Sequence, residues 1–128
     1  MQNKRVSLAI STLKVLEKKP FDKIDLLSLT KKHKDISVKN KRELIANINR
    51  YFDFLLKNNL SGLEESSKKD MLFEVLMARL DILNSYRVSV KNIMNYLYSN
   101  PKDFIKIIPS FIESIILIST LCNINVNG

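Results

Sequence analysis

Along the first half of the chain, apolar side chains return every three or four positions and polar ones fill the gaps between them. Val6, Ala9, Ile10, Leu13 and Leu16 fall on one stripe, which predicts a helix from Lys4 to Lys18. Pro20-Phe21 ends it, and Lys18-Lys19 sit where cations favour a helix C-terminus. A second helix starts at Asp22 or Asp25, either of which can cap it, and runs through Leu26, Leu27 and Leu29 to about His33. Beyond a polar segment, Leu44, Ile45, Ile48, Tyr51, Phe52 and Leu55 predict a longer helix from about Lys39 to Lys57. Asn58 to Ser67, with Gly62, Glu64-Glu65 and Ser66-Ser67, reads as a linker and divides the chain into residues 1–59 and 60–128.

The second half opens with Leu72, Val75, Leu76, Leu80 and Leu83 at helical spacing. After Asn84-Ser85 the pattern restarts with Tyr86, Val90, Ile93, Met94 and Leu97, and so short a connection brings the two helices close together. Asn100-Pro101 places proline where a helix begins, and Phe104, Ile107, Ile108, Phe111, Ile112, Ile115 and Ile118 continue in phase to Leu121. Pro109 is expected to kink or split this last helix, because it steers Ile108 away from α geometry. No run alternates with period two, so the fold class is all-α.

Composition narrows the function classes. Two Gly and three Pro leave no material for a phosphate-cradling glycine loop. An apolar fraction of 45% is ample for a core. The lone Cys122 cannot pair internally, which suggests a reducing compartment; no leader is recognisable, and a cytoplasmic location is expected. Phe104 to Val126 is the membrane-span candidate, but Lys106, Pro109 and Glu113 interrupt it; a buried helix, and no membrane span, is the expectation.

Charge changes the picture most. Residues 1–59 hold 14 Lys and Arg against 6 Asp and Glu, a surplus of 8, whereas residues 60–128 hold 7 of each. The whole net charge of +8 therefore belongs to the first half, as in a basic module attached to a neutral one. Lys31, Lys32, Lys34, Lys39, Lys41 and Arg42 are its densest cluster, suited to phosphates. Asn40, Arg42 and Asn47 are the side chains there that can pair with base edges. His33 has no second His or Cys at metal-ligand spacing, and Glu74 and Asp81 share a helix face without a Glu-x-x-His partner. No metal, no cofactor and no enzymatic activity are expected.

Several segments resemble the TetR family of bacterial transcription regulators. Leu8-Ala9-Ile10 to Leu16, then Phe21 and Ile24 to Leu29, resemble its first two helices, and Asn40-Lys41-Arg42-Glu43-Leu44-Ile45 resembles the start of its fourth. Leu76-Met77-Ala78-Arg79-Leu80-Asp81-Ile82-Leu83-Asn84-Ser85-Tyr86-Arg87 is similar to a pattern in TetR-like proteins of alphaproteobacteria. The resemblance implies a small N-terminal helical module, a degenerate helix-turn-helix, followed by an antiparallel helical effector and dimerisation domain. It implies DNA binding, with Lys41 at the family's phosphate-contacting position, and a homodimer formed through the C-terminal helices. It also implies a small apolar ligand in a pocket between helices, for which Phe73, Leu76, Leu80, Tyr86, Met94, Leu97, Phe111 and Ile115 are the candidates. The alternative is a lipid- or isoprenoid-binding accessory protein of the same fold, of the ubiquinone-synthesis type, without DNA binding. The chain departs from the family twice: only Lys34 to Lys39 stand where a recognition helix belongs, and the family continues into two further helices where this sequence stops, so the expectation is either a truncated sequence or a different mode of dimerisation.

Overall fold

The computed structural model describes residues 2–33, 36, 38–60 and 68–122. Among these residues six α-helices follow one another: α1 (Gln2–Leu16), α2 (Leu26–Lys32), α3 (Lys41–Asn59), α4 (Lys68–Ser85), α5 (Arg87–Ser99) and α6 (Pro101–Leu121). Among the described residues there is no strand, so the all-α expectation holds. A 3₁₀ turn at Phe21–Lys23 joins α1 to α2. No third helix stands between α2 and α3 among the described residues, where the backbone at Val38 and Lys39 is irregular.

Local chemistry sets the helix ends. Of the two aspartates that could begin α2, Asp25 does so, accepting from the Leu27 amide at 3.1 Å and from the Ser28 hydroxyl at 2.8 Å. Those bonds hold its carboxyl below the usual range, the Ser28 hydroxyl first. Asn40 caps α3 by accepting from the Glu43 amide, and Glu43 reaches back to accept from the Lys39 amide, so two orphan donors are satisfied reciprocally. Pro101 occupies the first turn of α6, where its missing N–H costs nothing. Pro109 does not split α6: the helix runs unbroken from Pro101 to Leu121.

The core is built around α3, which packs against α1, α4 and α6. Leu44, Ile45, Ile48, Tyr51, Phe52 and Leu56 are buried on it, close to the predicted stripe. From α1 come Leu8, Ala9, Leu13 and Leu16; Ile10 stays largely exposed. The buried cluster continues across the junction at residues 59 and 60 into Met71, Val75, Ile82, Ile93, Leu97 and Ile107. Helix α5 grips α1 directly. Ser89, fully buried, donates to the Leu13 carbonyl at 2.8 Å, and Asn92 donates to the Leu16 carbonyl in the last turn of α1 and to the Lys19 carbonyl just beyond it. Phe21 adds a tilted ring contact with Tyr96, centroids 4.6 Å apart.

The second half departs from the predicted stripes. On α4 the buried residues are Met71, Val75 and Ile82, whereas Leu76 and Leu80 point outward. Apolar residues surround α4 on nearly every side, so spacing alone left its inward direction undetermined. On α5, Ile93 and Leu97 are buried as expected but Met94 is exposed. The largest correction concerns α6, expected to be buried. Only Ile107 and Ser114 of its 21 residues are buried.

Candidate functional site

The basic cluster of the first half converges on the corner between α2 and α3, but much of it is already engaged. Lys41 donates through Nζ to the Asp22 carbonyl at 2.8 Å, tying α3 to the 3₁₀ turn. Arg42 lies 3.6 Å from Asp103 at the start of α6. Asn40 is the α3 cap. Asn47, the other base-reading candidate, is buried and donates to the Arg5 carbonyl at 3.0 Å. Lys31, Lys32 and Lys39 remain exposed at this corner, and Lys34 lies outside the described residues. His33 ends α2 with its ring against the Ser11 hydroxyl, 3.2 Å away. Among the described residues no group of His, Cys, Asp and Glu is arranged to hold a metal ion.

Of the eight side chains expected around a pocket, five open to solvent: Phe73, Leu76, Leu80, Met94 and Ile115. Leu97 is core, and Tyr86 and Phe111 are half-buried. The Tyr86 hydroxyl meets that of Tyr51 at 3.3 Å, and burial, with this bond second, pushes Tyr51 up to about 12. A neutral phenol at physiological pH, Tyr51 is a wall rather than a base.

What dominates the surface is grease. Helix α4 exposes Phe73, Leu76, Met77 and Leu80, which recur at i, i+3, i+4 and i+7 and so share one side of the helix. Helix α6, packed beside it, exposes Phe104, Ile105, Ile108, Ile112, Ile115 and Ile116. Among the described residues, α6 is the one helix long and apolar enough to cross a membrane, and 11% of its most apolar window is buried. Exposed apolar side chains gathered on two helices that pack together are the kind of surface that a partner or a lipid layer covers.

The inward side of α6 is polar at its middle. Arg79 on α4 donates from Nη1 to Asp53 and from Nη2 to Asn49, both 2.6 Å away and both on α3. Asn49 in turn donates to the Ser114 hydroxyl at 2.8 Å and to the Ser110 carbonyl at 3.1 Å. Ser114 donates to the second Asp53 oxygen at 2.8 Å. The Arg79 guanidinium also lies 5.8 Å from the Phe52 ring centroid. This linkage clamps α3, α4 and α6 with each partner hydrogen-bonded, which is what keeps buried polar groups affordable. The acid that pairs with Arg79 is Asp53, far away in sequence. Ser110 and Ser114 lie on the inner side of α6 with Ile107, and Ile105, Ile108, Ile112, Ile115 and Ile116 are exposed.

Sequence reasoning did not find the crevice between α1 and α3. Arg5, Val6, Asn47, Arg50, Tyr51 and Phe54 line an open hollow of about 480 Å³. Helical spacing carries no signal for it, since two helices separated by the whole of α2 supply its walls.

No family model, no curated protein and no solved structure matches this chain.

Proposed function

We propose that this protein is a non-catalytic lipid-binding accessory protein, which lays the apolar faces of α4 and α6 against lipid and uses its positive charge to favour anionic headgroups. The observation that carries this reading is the outward row of isoleucines on α6, a helix whose inner side is held by serines. Burying apolar side chains stabilises association by about 25 cal/mol per Å² removed from water, and an interfacial helix works by that term plus attraction to anionic lipid. Lys102 and Lys106, exposed at the start of α6, stand where headgroup phosphates lie when the helix rests in the interface. The clamp through Arg79, Asp53, Asn49 and Ser114 favours a helix lying on a bilayer over one crossing it. We read the order of helices, one of 15 residues and one of 7 followed by one of 19 and three more, as in keeping with a TetR-like arrangement in which DNA reading has lapsed. Asn40, Arg42 and Asn47 have internal partners, which argues against base readout.

Flotation with vesicles tests this. Binding to vesicles containing a quarter phosphatidylglycerol is expected, weaker binding to pure phosphatidylcholine, and loss of binding in Ile112→Asp/Ile115→Asp. Absence of flotation with both compositions overturns the reading. A second reading, non-specific DNA contact, rests on the exposed Lys31, Lys32 and Lys39. It predicts a gel shift with random duplex that weakens steeply as salt rises and is lost when these three lysines become glutamine.

A further inference from the structure

The hollow between α1 and α3 has both apolar and cationic side chains in its lining. Val6, Tyr51 and Phe54 give it an apolar floor, and Arg5 and Arg50 give it two guanidiniums. Arg5, Asn47 and Arg50 also belong to a second, more polar hollow of about 690 Å³ that continues past Val38, Ala46 and Glu43. The two form one groove, apolar at one end, with the cations between its halves. The polar end also holds the Glu43 carboxylate, which accepts from the Lys39 amide and repels an anion, so the acidic head is placed at the arginines.

The cations are available. Among the described residues no carboxylate pairs with Arg5, and Asn47 holds that residue by its backbone, leaving the guanidinium free to turn. Arg50 meets Glu113 of α6 at 3.5 Å, but both side chains are more than half exposed, and an exposed pair of this kind is weak and easily exchanged. Guanidiniums prefer carboxylate and phosphate oxygens, which they grip through two parallel N–H donors. A cleft with apolar walls and a few convergent charges is the ordinary form of a small-molecule site.

We infer that this groove binds a small amphiphilic anion, its acidic head between Arg5 and Arg50 and its short apolar tail against Val6, Tyr51 and Phe54. The inference goes beyond the lipid-surface reading and does not need it, because a soluble molecule below its micelle concentration fills the site. Glu113 competes with the ligand for Arg50, so occupancy loosens one tie between α3 and α6.

Calorimetric titration of the full chain with octyl phosphate, octanoate and octanol tests the inference. Saturable binding of octyl phosphate or octanoate is expected, with octanol at least tenfold weaker; whichever acid is tighter identifies the head as phosphoryl or carboxyl. Arg5→Gln and Arg50→Gln are each expected to weaken the acid about tenfold, with unchanged far-ultraviolet dichroism. Glu113→Gln is expected to tighten it severalfold, which a purely structural role for Arg50 does not produce. Equal affinity for octanol, indifference to both arginine variants, or no saturable binding overturns the inference. Ile112→Asp/Ile115→Asp leaves this titration unchanged while abolishing flotation, so failure here is distinguishable from failure of the lipid-surface reading.

Discussion

Helices α3 and α6 are similar in length and both amphipathic, yet the structure uses them in opposite ways. Of 19 residues in α3, eight are buried; of 21 in α6, two are. Helix α6 is the more apolar of the two by sequence, so apolarity did not decide which one went inside. Position did. Helix α3 has neighbours on three sides, and its buried polar groups, Asn47 and Asn49, each reach a partner across 40 residues or more of sequence. Helix α6 closes the bundle from outside and meets it through Ile107, Phe111, Ile118, Ser110 and Ser114, leaving Ile105, Ile108, Ile112, Ile115 and Ile116 exposed. A hydrophobic stripe states what a helix can bury; it does not say that the chain supplies the partner.

The contrast can be broken by substitution. Leu44, fully buried on α3, should cost about 3–4 kcal/mol as Leu44→Ala, and Ile115, more than half exposed on α6, under about 0.5 kcal/mol as Ile115→Ala, both by urea denaturation. Equal costs would mean that α6 is as well packed as α3.

Arg79→Leu removes the cation that joins the two helices through α4 and leaves Asp53 without its counter-charge. It should destabilise by about 3 kcal/mol, since a pair this enclosed is costly to halve. The double variant Arg79→Leu/Asp53→Leu should recover a large part of that loss. Additive losses would show that each side chain matters separately and that no clamp exists.

Alkaline pH probes both regions at once. Burial pushes Tyr51, on α3, and Tyr96, beside the start of α6, up to about 12, with the Asp103 carboxylate adding to the effect at Tyr96. Both are raised above the unfolded value of about 10, so their contribution is intact below pH 10 and fades as pH climbs through about 12. Spectrophotometric titration should find Tyr51 and Tyr96 ionising late, together with unfolding. Ionisation of these two near pH 10 without loss of helix would contradict the packing described around them.

The smallest effect sharpens the comparison at the helix starts. Asn40→Ala removes the side-chain cap of α3 and should cost about 1 kcal/mol. Asn100→Ala, at the start of α6, should cost less, because no side-chain bond from Asn100 caps that helix; its amide donates instead to the Tyr96 carbonyl. Melting temperatures of the two variants test the order.

The chain's local chemistry was sufficient for its helices. Periodicity, the proline at residue 101, the cap at Asp25 and the break at Pro20 are short-range effects, legible wherever a residue acts on its own turn, whereas Asn40, a base-reading candidate by sequence, is the cap of α3. The α3 stripe was also legible, because its polar and apolar sides are distinct. What the tertiary structure alone decided was direction and partnership: which side of the nearly uniform α4 faces inward, and that Arg79 finds Asp53. It decided that Lys41, Arg42 and Asn47 are spent on internal bonds, and that Arg5 and Arg50 share a groove. Those outcomes depend on distances between segments remote along the chain, where spacing within a helix holds no information.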